Sequence, residues 1–319
     1  MTSDPPRLGL HLPHARGLVK ALERAAAIGA EAVQVFADNP TAWRRRASPS
    51  PELPRFRERL ADLGVDPVAI HAPYLVNLAG GDERFRGPSI DLLASDLRSG
   101  PGFGARFVNV HVGSHLGAGA DSAAAAVADA VACALEATDD VADRPTVVLE
   151  NSAGGGNGYG STIDELAAIL AALTARGVPD SAVAICLDTA HLWGAGYDLG
   201  APTAVDDLFA TFDARIGLDR LAMVHFNDSR SQPGSRADRH EHLGGGRIGA
   251  TALGAVLRHP AVAGKPVYLE TPGMDHGYDA INLARARALL AGEPLGPLPP
   301  EAFDLPPRHR GRATSPGRE

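Results

Sequence analysis

The segment FVNVH, residues 107–111, is an apolar run that ends on a side chain able to bind a metal ion. Seven further runs share its Val-, Ile- and Leu-rich composition, as expected for strands that are buried on both faces. They are LGLH (8–11), AVQVF (32–36), PVAIH (67–71), TVVLE (146–150), AICLD (184–188), LAMVH (221–225) and PVYLE (266–270). The sequence therefore predicts eight short, buried strands.

Stretches rich in Ala, Leu and Arg, with the apolar spacing of helices, lie between these strands. Examples are residues 18–28, 54–63, 121–138, 162–173 and 251–257. This alternation over about 290 residues predicts an α/β fold, the (β/α)8 TIM barrel, with its active site at the C-terminal ends of the strands. We expect the barrel domain to span residues 1–292. A doubly wound open sheet is an alternative, but it would gather functional residues at one switch point.

Six of the eight predicted strands end on a residue type that commonly binds metal ions. These residues are His71, His111, Glu150, Asp188, His225 and Glu270. From His71 to Asp188 the successive intervals are 40, 39 and 38 residues, close to one strand-helix unit each time. Because the C-terminal ends of barrel strands form one rim, these side chains predict a polynuclear metal site there.

Three further ligand candidates lie in two local motifs. His191 follows Asp188 in a segment that we expect to form a turn, and Asp238 and His240 would project to one side of an extended loop. The nine candidates are too many for one ion, since catalytic zinc usually has three protein ligands. Three ions with one bridging carboxylate are the natural partition, and a set of His, Asp and Glu suits zinc, manganese or iron.

Composition predicts one soluble domain, because the chain has 319 residues and 45% of them are hydrophobic. No apolar stretch approaches the roughly 20 residues that cross a bilayer, and the N-terminal sequence does not resemble a secretion signal. Cys133 and Cys186 are too few for a disulfide framework, so we expect a cytoplasmic protein. The net charge of −8 argues against a DNA partner, but three divalent ions would change it to −2.

Five segments, in this order, resemble the endonuclease IV family of metal-dependent apurinic/apyrimidinic (AP) endonucleases. They are VNVHVGSHLGAG (108–119), VVLENSAGGGNGYGS (147–161), ICLDTAHLWGAGYDL (185–199), VHFNDSRSQPGSRADRHEHLGGGRIG (224–249) and VYLETPG (267–273). The resemblance extends from about residue 9 to residue 290, and all nine ligand positions are filled.

The resemblance implies three zinc ions per chain, with manganese as an alternative at one or more sites. The implied ligand sets are His71, His111 and Glu150, then the bridging Glu150 with Asp188, His225 and Glu270, then His191, Asp238 and His240. Glu150, Asp188 and Glu270 are the predicted catalytic residues, since they would hold the ions that activate water. The implied reaction is hydrolysis of the phosphodiester 5′ to an abasic site in double-stranded DNA, as in base excision repair.

The resemblance also implies which residues contact DNA. Members of the family carry a wedge that enters the minor groove, and here it corresponds to Asn39, within the segment NPTAW, and to the pair Tyr74 and Leu75. Thr41 stands where an arginine is common, although the arginines at 44–46 follow directly. We therefore expect the wedge to be partly rebuilt in this chain, which affects the choice of lesion more than the metal site.

Several polar residues next to the ligands are candidates for supporting roles. Ser114 and Asn227 are expected either to contact DNA or to fix the orientation of ligand histidines, and Asp228 is a similar candidate. For His115 and His242, solvated loop histidines are the competing interpretation.

His11 and Gly245 also differ from what is common in the family, and two runs of glycine lie beside strand ends. His11, in a first loop that differs from the family, either approaches the metals or is packed in the barrel. The glycines at 154–156 and 244–246 form tight turns or admit a phosphate, and Gly245 replaces a glutamate that is common in relatives.

Residues 293–319 contain seven prolines and almost no apolar periodicity, which predicts a disordered tail. Its arginines, Arg308, Arg310 and Arg312, would add weak nonspecific affinity for DNA.

Two other functions compete with the nuclease. A sugar isomerase or epimerase of the xylose isomerase-like barrels uses a Glu-Asp-His-Glu metal set, which Glu150, Asp188, His225 and Glu270 match. That function leaves five ligand candidates unexplained. A DNA-binding or scaffold protein without activity would be expected to have lost ligands. We expect a monomer by default.

Overall fold

A computed structural model describes residues 4–13, 17–200 and 203–304 of the chain. Eight parallel strands close a barrel in the order β1-β10-β7-β6-β5-β4-β3-β2, which confirms the predicted TIM barrel. They are β1 Arg7–His11, β2 Ala32–Phe36, β3 Val68–His71, β4 Ala105–His111, β5 Thr146–Glu150, β6 Val183–Asp188, β7 Leu221–His225 and β10 Pro266–Leu269. The short strands β8 Asp228–Ser229 and β9 His240–Glu241 form an antiparallel pair in the loop after β7.

Helices connect the barrel strands. They are α1 Leu18–Ala27, α2 Leu53–Leu63, α3 Glu83–Phe103, α4 Ala120–Glu136, α5 Ile163–Ala175, α6 Thr189–Ala195, α7 Ala204–Arg215, α8 Gly249–Arg258 and α9 Tyr278–Ala291. The five helical stretches predicted from the sequence correspond to α1, α2, α4, α5 and α8. Interior prolines at 88 and 101 concealed α3 from that prediction. In no described helix is there an apolar span long enough to cross a membrane.

The interior of the barrel is a packed core and not a channel. Tyr268 is fully buried inside it and packs in one cluster with the small residues Ala32 of β2 and Ala69 of β3. The hydroxyl of Tyr268 donates a hydrogen bond to the carbonyl of Pro67, just before the start of β3. The N-terminal end of the barrel is therefore filled, and functional side chains are confined to the opposite rim.

The segment of residues 293–304, which we call the strap, is folded against the barrel. It ends in a short 3-10 helix, Pro300–Phe303, in which Ala302 is buried. Disorder was therefore the wrong expectation for these twelve residues, because isolated apolar side chains between prolines pack here without any helical or strand period. Residues 305–319, including the predicted DNA-binding arginines, lie outside the described residues. The domain boundary at residue 292 stays a prediction.

Candidate metal centre

The strand register gathers the predicted ligands at one rim of the barrel. His111 pairs with Glu150 across β4 and β5, and Asp188 pairs with His225 across β6 and β7. Glu270 follows directly after the last residue of β10. Glu150, Asp188 and His225 are completely buried, so three ionisable side chains lie side by side in the interior of the protein. Such a cluster is costly unless opposite charges or metal ions compensate it.

A helix, and not the predicted turn, follows Asp188. The carboxylate of Asp188 accepts a hydrogen bond from the backbone N–H of His191 at 2.8 Å and so caps α6. This first helical turn brings Nδ1 of His191 to 3.1 Å from Glu150 Oε1. The sequence spacing of Asp188 and His191 predicts that both face one site. It does not show that the buried carboxylate of Asp188 also caps a helix.

The loop after β7 supplies the remaining two candidates. The strand pair β8 and β9 places His240 beside Asp188, with Nε2 of His240 3.6 Å from Oδ2 of Asp188. One carboxylate oxygen of Asp238 lies 3.1 Å from Nε2 of His240 and 3.5 Å from Nε2 of His191. All nine predicted ligands are therefore close together.

Three groups of side chains have ligand atoms within 4.8 Å of one another. The groups are His71, His111 and Glu150; Glu150, Asp188, His225 and Glu270; and Asp188, His191 and His240. The first two have the same members as two of the sets implied by the family resemblance. The third contains Asp188 in place of Asp238, which nevertheless lies beside both of its histidines.

Hydrogen bonds orient four of the five histidines. Nδ1 of His71, His191 and His240 donates to the backbone carbonyls of residues 72, 151 and 270, at 2.7, 3.0 and 3.1 Å. Nε2 of His225 donates to the side-chain oxygen of Gln34 at 3.0 Å. In each ring the other nitrogen faces the carboxylates, which is the tautomer that a metal ligand requires.

The donor set fits divalent cations. Within the described part of the chain, three buried atoms of the candidate ligands have no hydrogen-bond partner: Glu150 Oε1, His225 Nδ1 and His240 Nε2. Buried polar atoms in proteins almost always have a partner, so these three indicate a missing charged group. Imidazole nitrogens and carboxylate oxygens, without thiolates, suit a catalytic site for zinc or a similar ion.

The pKa values at this rim show that the histidines and carboxylates stabilise each other's charged forms. Burial lowers the pKa of His240, but Asp238 and Asp188 outweigh that effect and raise it to about 9. Burial raises the pKa of Glu150, but the neighbouring histidines hold it well below its usual range. The carboxylates raise the pKa of His71, His191 and His225 as well, whereas burial lowers the pKa of His111. A bound cation would displace protons from the imidazoles, so acid is expected to weaken its binding.

Sequence reasoning missed two side chains that hold the carboxylates in place. Gln34, within β2, donates to Oε1 of Glu270 at 2.8 Å as well as accepting from His225. Asn109, within β4, donates to Oε2 of Glu150 at 2.6 Å. Both are completely buried polar residues inside apolar strands. That contrast with their neighbours was the signal available in the sequence.

His11 borders the same cluster. It is 5% exposed, and its Nδ1 lies 2.9 Å from Nε2 of Gln34 and 3.2 Å from Oε1 of Glu270. Of the two interpretations left open for His11, a packed and hydrogen-bonded side chain describes its contacts, although it packs directly beside a candidate ligand.

Asn227 and Asp228 have supporting roles. Asn227 is completely buried, donates to Asp188 at 2.8 Å and accepts from the backbone N–H of Glu270 at 2.9 Å. DNA contact does not fit a side chain enclosed in this way, whereas positioning of the ligands does. The carboxylate of Asp228 accepts the backbone N–H groups of Gly244 and Gly246, so this glycine run binds a protein carboxylate where a phosphate was considered.

The remaining predicted DNA contacts lie on loops at the same rim. Tyr74 is 59% exposed, and its ring packs edge-on to Phe36. Leu75 is partly buried against the core, and Asn39 is exposed. Ser114 is partly buried, and its hydroxyl accepts the backbone N–H of Leu116. The positions of these residues are compatible with a bound duplex, and their role stays a prediction.

Comparison with known proteins agrees with this geometry. The family model of xylose isomerase-like TIM barrels matches residues 22–292. A probable endonuclease 4 of Natronomonas pharaonis is 37% identical over 283 residues, which cover 89% of this chain and 98% of that protein. The chain belongs to the endonuclease IV family. Another protein of the endonuclease IV family, the probable endonuclease 4 of Haloarcula marismortui, is 36% identical over 285 residues, with coverage of 89% and 98%.

A crystal structure in the endonuclease IV family has the same fold. Endonuclease IV from Thermus thermophilus superimposes with a TM-score of 0.77 at 36% identity, and the match covers 90% of this chain and 100% of that one. The barrel of this chain therefore accounts for the full length of a solved member of the family.

Proposed function

We propose that the protein is an AP endonuclease that hydrolyses the phosphodiester 5′ to abasic sites in double-stranded DNA, with three zinc ions bound by the nine residues described above. The observation that carries the proposal is the convergence of five imidazoles and four carboxylates, among which three buried ligand atoms have no hydrogen-bond partner. Membership of the endonuclease IV family supports the same reaction.

Glu150 has the central position in this arrangement. One of its oxygens lies 3.6 Å from both His71 and His111, and the other lies 3.2 Å from His225. It can therefore connect the first two ligand groups, and Asn109 fixes its orientation. When bound there, paired divalent ions supply a water of lowered pKa and stabilise charge on the phosphate.

Other residues around the centre orient the ligand carboxylates and exclude bulk water. Asp188 is anchored by Asn227, and Glu270 by Gln34, so both carboxylates present defined oxygens to the rim. The packed barrel core below them keeps bulk water from entering from the opposite end. With this division of roles, no side chain needs to act as the nucleophile.

An abasic nucleotide fits this rim because extrusion of a sugar without a base costs little stacking energy. Tyr74 has an exposed ring, which would stack on the bases beside the lesion. Arg44 and Arg46, in the loop after β2, would contribute phosphate contacts. We propose duplex DNA as the partner, a monomer as the acting form, and the cytoplasm as its location.

A sugar isomerase is less consistent with the site. Such an enzyme needs only one group of four ligands, namely Glu150, Asp188, His225 and Glu270. It gives no reason for the convergence of His191, Asp238 and His240 on the same rim.

The test is incubation of the zinc-loaded protein with a duplex that contains one tetrahydrofuran abasic analogue, which cannot be cut by β-elimination. We expect a single cut 5′ to the analogue that leaves a 3′-hydroxyl, and no cut in a matched intact duplex. A wild-type protein that carries its full complement of metal and leaves the analogue uncut would contradict the proposal.

A further inference from the structure

The strap of residues 293–304 contacts the loop that carries two of the candidate ligands. Nε2 of His242 donates to the carbonyl of Ala302 at 3.0 Å, and the ring of Phe303 packs edge-on to the same imidazole. His242 is completely buried, so it is not the solvated loop histidine that was considered. It lies two residues after His240, and the strap therefore touches the chain next to a candidate ligand.

Two residues of α9 bind this loop, and one of them, Arg285, also binds the strap. The side chain of Arg285 donates to the carbonyl of Leu243 at 2.5 Å and to the carbonyl of Gly296, in the strap, at 2.6 Å. Asn282 donates to Nδ1 of His242 at 2.8 Å and accepts from the backbone N–H of Leu243. Loop, helix and strap thus share one hydrogen-bond network, which fixes the His242 tautomer that can donate to the strap.

Gly245 shows that the strap and the loop fit each other closely. A Cβ atom at residue 245 would lie 2.7 Å from a methyl group of Leu298 and 3.2 Å from the ring of Phe303. The backbone of Gly245 does not need a positive φ, so space and not conformation requires glycine here. The strap occupies the position that a larger side chain at 245 would take.

The strap lies outside the part of the chain that matches the family model. The match to the family model ends at residue 292, directly before the strap. Two carbonyls of the strap, those of Ala302 and Gly296, accept hydrogen bonds from the buried His242 and from Arg285. These contacts join the strap to the loop that carries Asp238 and His240.

We propose that the strap positions the loop after β7 so that Asp238 and His240 keep their metal-binding conformation. His240 is fixed at one end by its bond to the carbonyl of Glu270, and the strap fixes the chain two residues further on. The inference depends on the metal centre given under the proposed function. Its readout is metal retention, which does not depend on the identity of the substrate.

The test compares two truncated chains loaded with zinc. One ends at residue 292 and lacks the strap, and the other ends at residue 304 and keeps it. Elemental analysis after dialysis against a graded chelator should show that the shorter chain retains one of its three ions about 10- to 100-fold less tightly, the range for loss of a residue that supports metal ligands. The longer chain should match the full-length protein.

A substitution tests the same contact without truncation. Gly245→Glu should displace the strap and weaken retention of the same ion in the full-length chain. In the chain that ends at 292 the new Cβ atom meets only the backbone carbonyl of His242, at 3.2 Å, so the additional loss there should be smaller. Gly87→Glu is the matched control, because it adds the same charge on α3 where a Cβ meets no neighbour within 4 Å.

The outcomes separate the two proposals. Wild-type ion retention in a folded chain that ends at 292 would overturn the role of the strap. If that chain does not fold, wild-type retention in full-length Gly245→Glu would overturn it instead. If the full-length chain binds three ions without cutting abasic DNA, the proposed substrate fails while the test of the strap remains valid.

Discussion

The metal rim and the loops proposed to contact DNA are built in different ways in this barrel. Glu150, Asp188 and His225 are at strand ends, completely buried and held by several hydrogen bonds. In the loop after β2, Asn39 is exposed, and its side-chain oxygen accepts from the backbone N–H and hydroxyl of Thr41. The candidate ligands are thus held by the scaffold, whereas the proposed contacts with the duplex would depend on surface side chains that can be exchanged separately.

The largest effect should come from the rim. Glu150→Gln removes the charge that connects two ligand groups, so we expect loss of bound metal and a fall in activity greater than the roughly 100-fold typical of a supporting residue. Elemental analysis and cleavage of the tetrahydrofuran duplex measure both. Glu58→Gln, on α2, is a suitable control because its side chain is 63% exposed. Unchanged metal content in Glu150→Gln would mean that the rim is not the metal site.

A second effect concerns the pH dependence of stability, through the contact that anchors the loop after β2. Arg45 of this loop contacts Asp96 of α3 at 3.0 Å, and burial, opposed by Arg45, raises the pKa of Asp96 from 3.8 to about 7. The folded state therefore holds this proton more tightly than the unfolded state. Its stabilising contribution is complete below about pH 4 and is lost as pH rises through about 7.

Asp96→Asn should remove this dependence. At about 1.36 kcal/mol per pH unit, the free energy of unfolding of the wild type should fall between pH 5 and pH 8 by about 2 to 3 kcal/mol more than that of the variant. Urea titrations at the two pH values provide the measurement. Parallel curves for both proteins would show that Asp96 is not the group responsible.

Gln34 tests how far the rim depends on residues that bind no metal themselves. Gln34→Leu keeps the side chain similar in size but leaves His225 and Glu270 without their shared partner, so zinc affinity should fall about 10- to 100-fold. Competition with a chromogenic chelator gives the affinity, and the exposed Gln232→Leu serves as control. Wild-type zinc affinity in Gln34→Leu would show that Gln34 does not support the metal ligands.

The smallest effect should come from a substitution in the loop after β2, and it concerns the salt dependence of DNA binding. Thr41→Arg restores a cation where the family commonly has one, and a new phosphate contact should make the slope of log K against log salt about 0.9 more negative. The measurement uses the abasic duplex in a Glu150→Gln background, with Thr41→Gln as the neutral control. An identical slope for Arg and Gln would place residue 41 away from the DNA backbone.

Much of the barrel could be predicted because each strand is a short apolar run and the ligands end six of them. What the sequence concealed has physical causes. Pro88 and Pro101 interrupt the helical period of α3, and Gln34 acquires its meaning only when the barrel closes and brings β2 next to the far end of the chain. The strap was missed because Leu295 and Phe303 have no periodic neighbours, so their packing depends on tertiary contacts alone.

Nine side chains are proposed to form a single site for three cations. The most direct test of this proposal is a crystal structure of the zinc-loaded protein, with anomalous data collected on both sides of the zinc absorption edge. We expect three anomalous peaks within the site, one of them beside Asp238 and His240 and two that share Glu150. A single peak, or peaks away from these residues, would contradict the proposal.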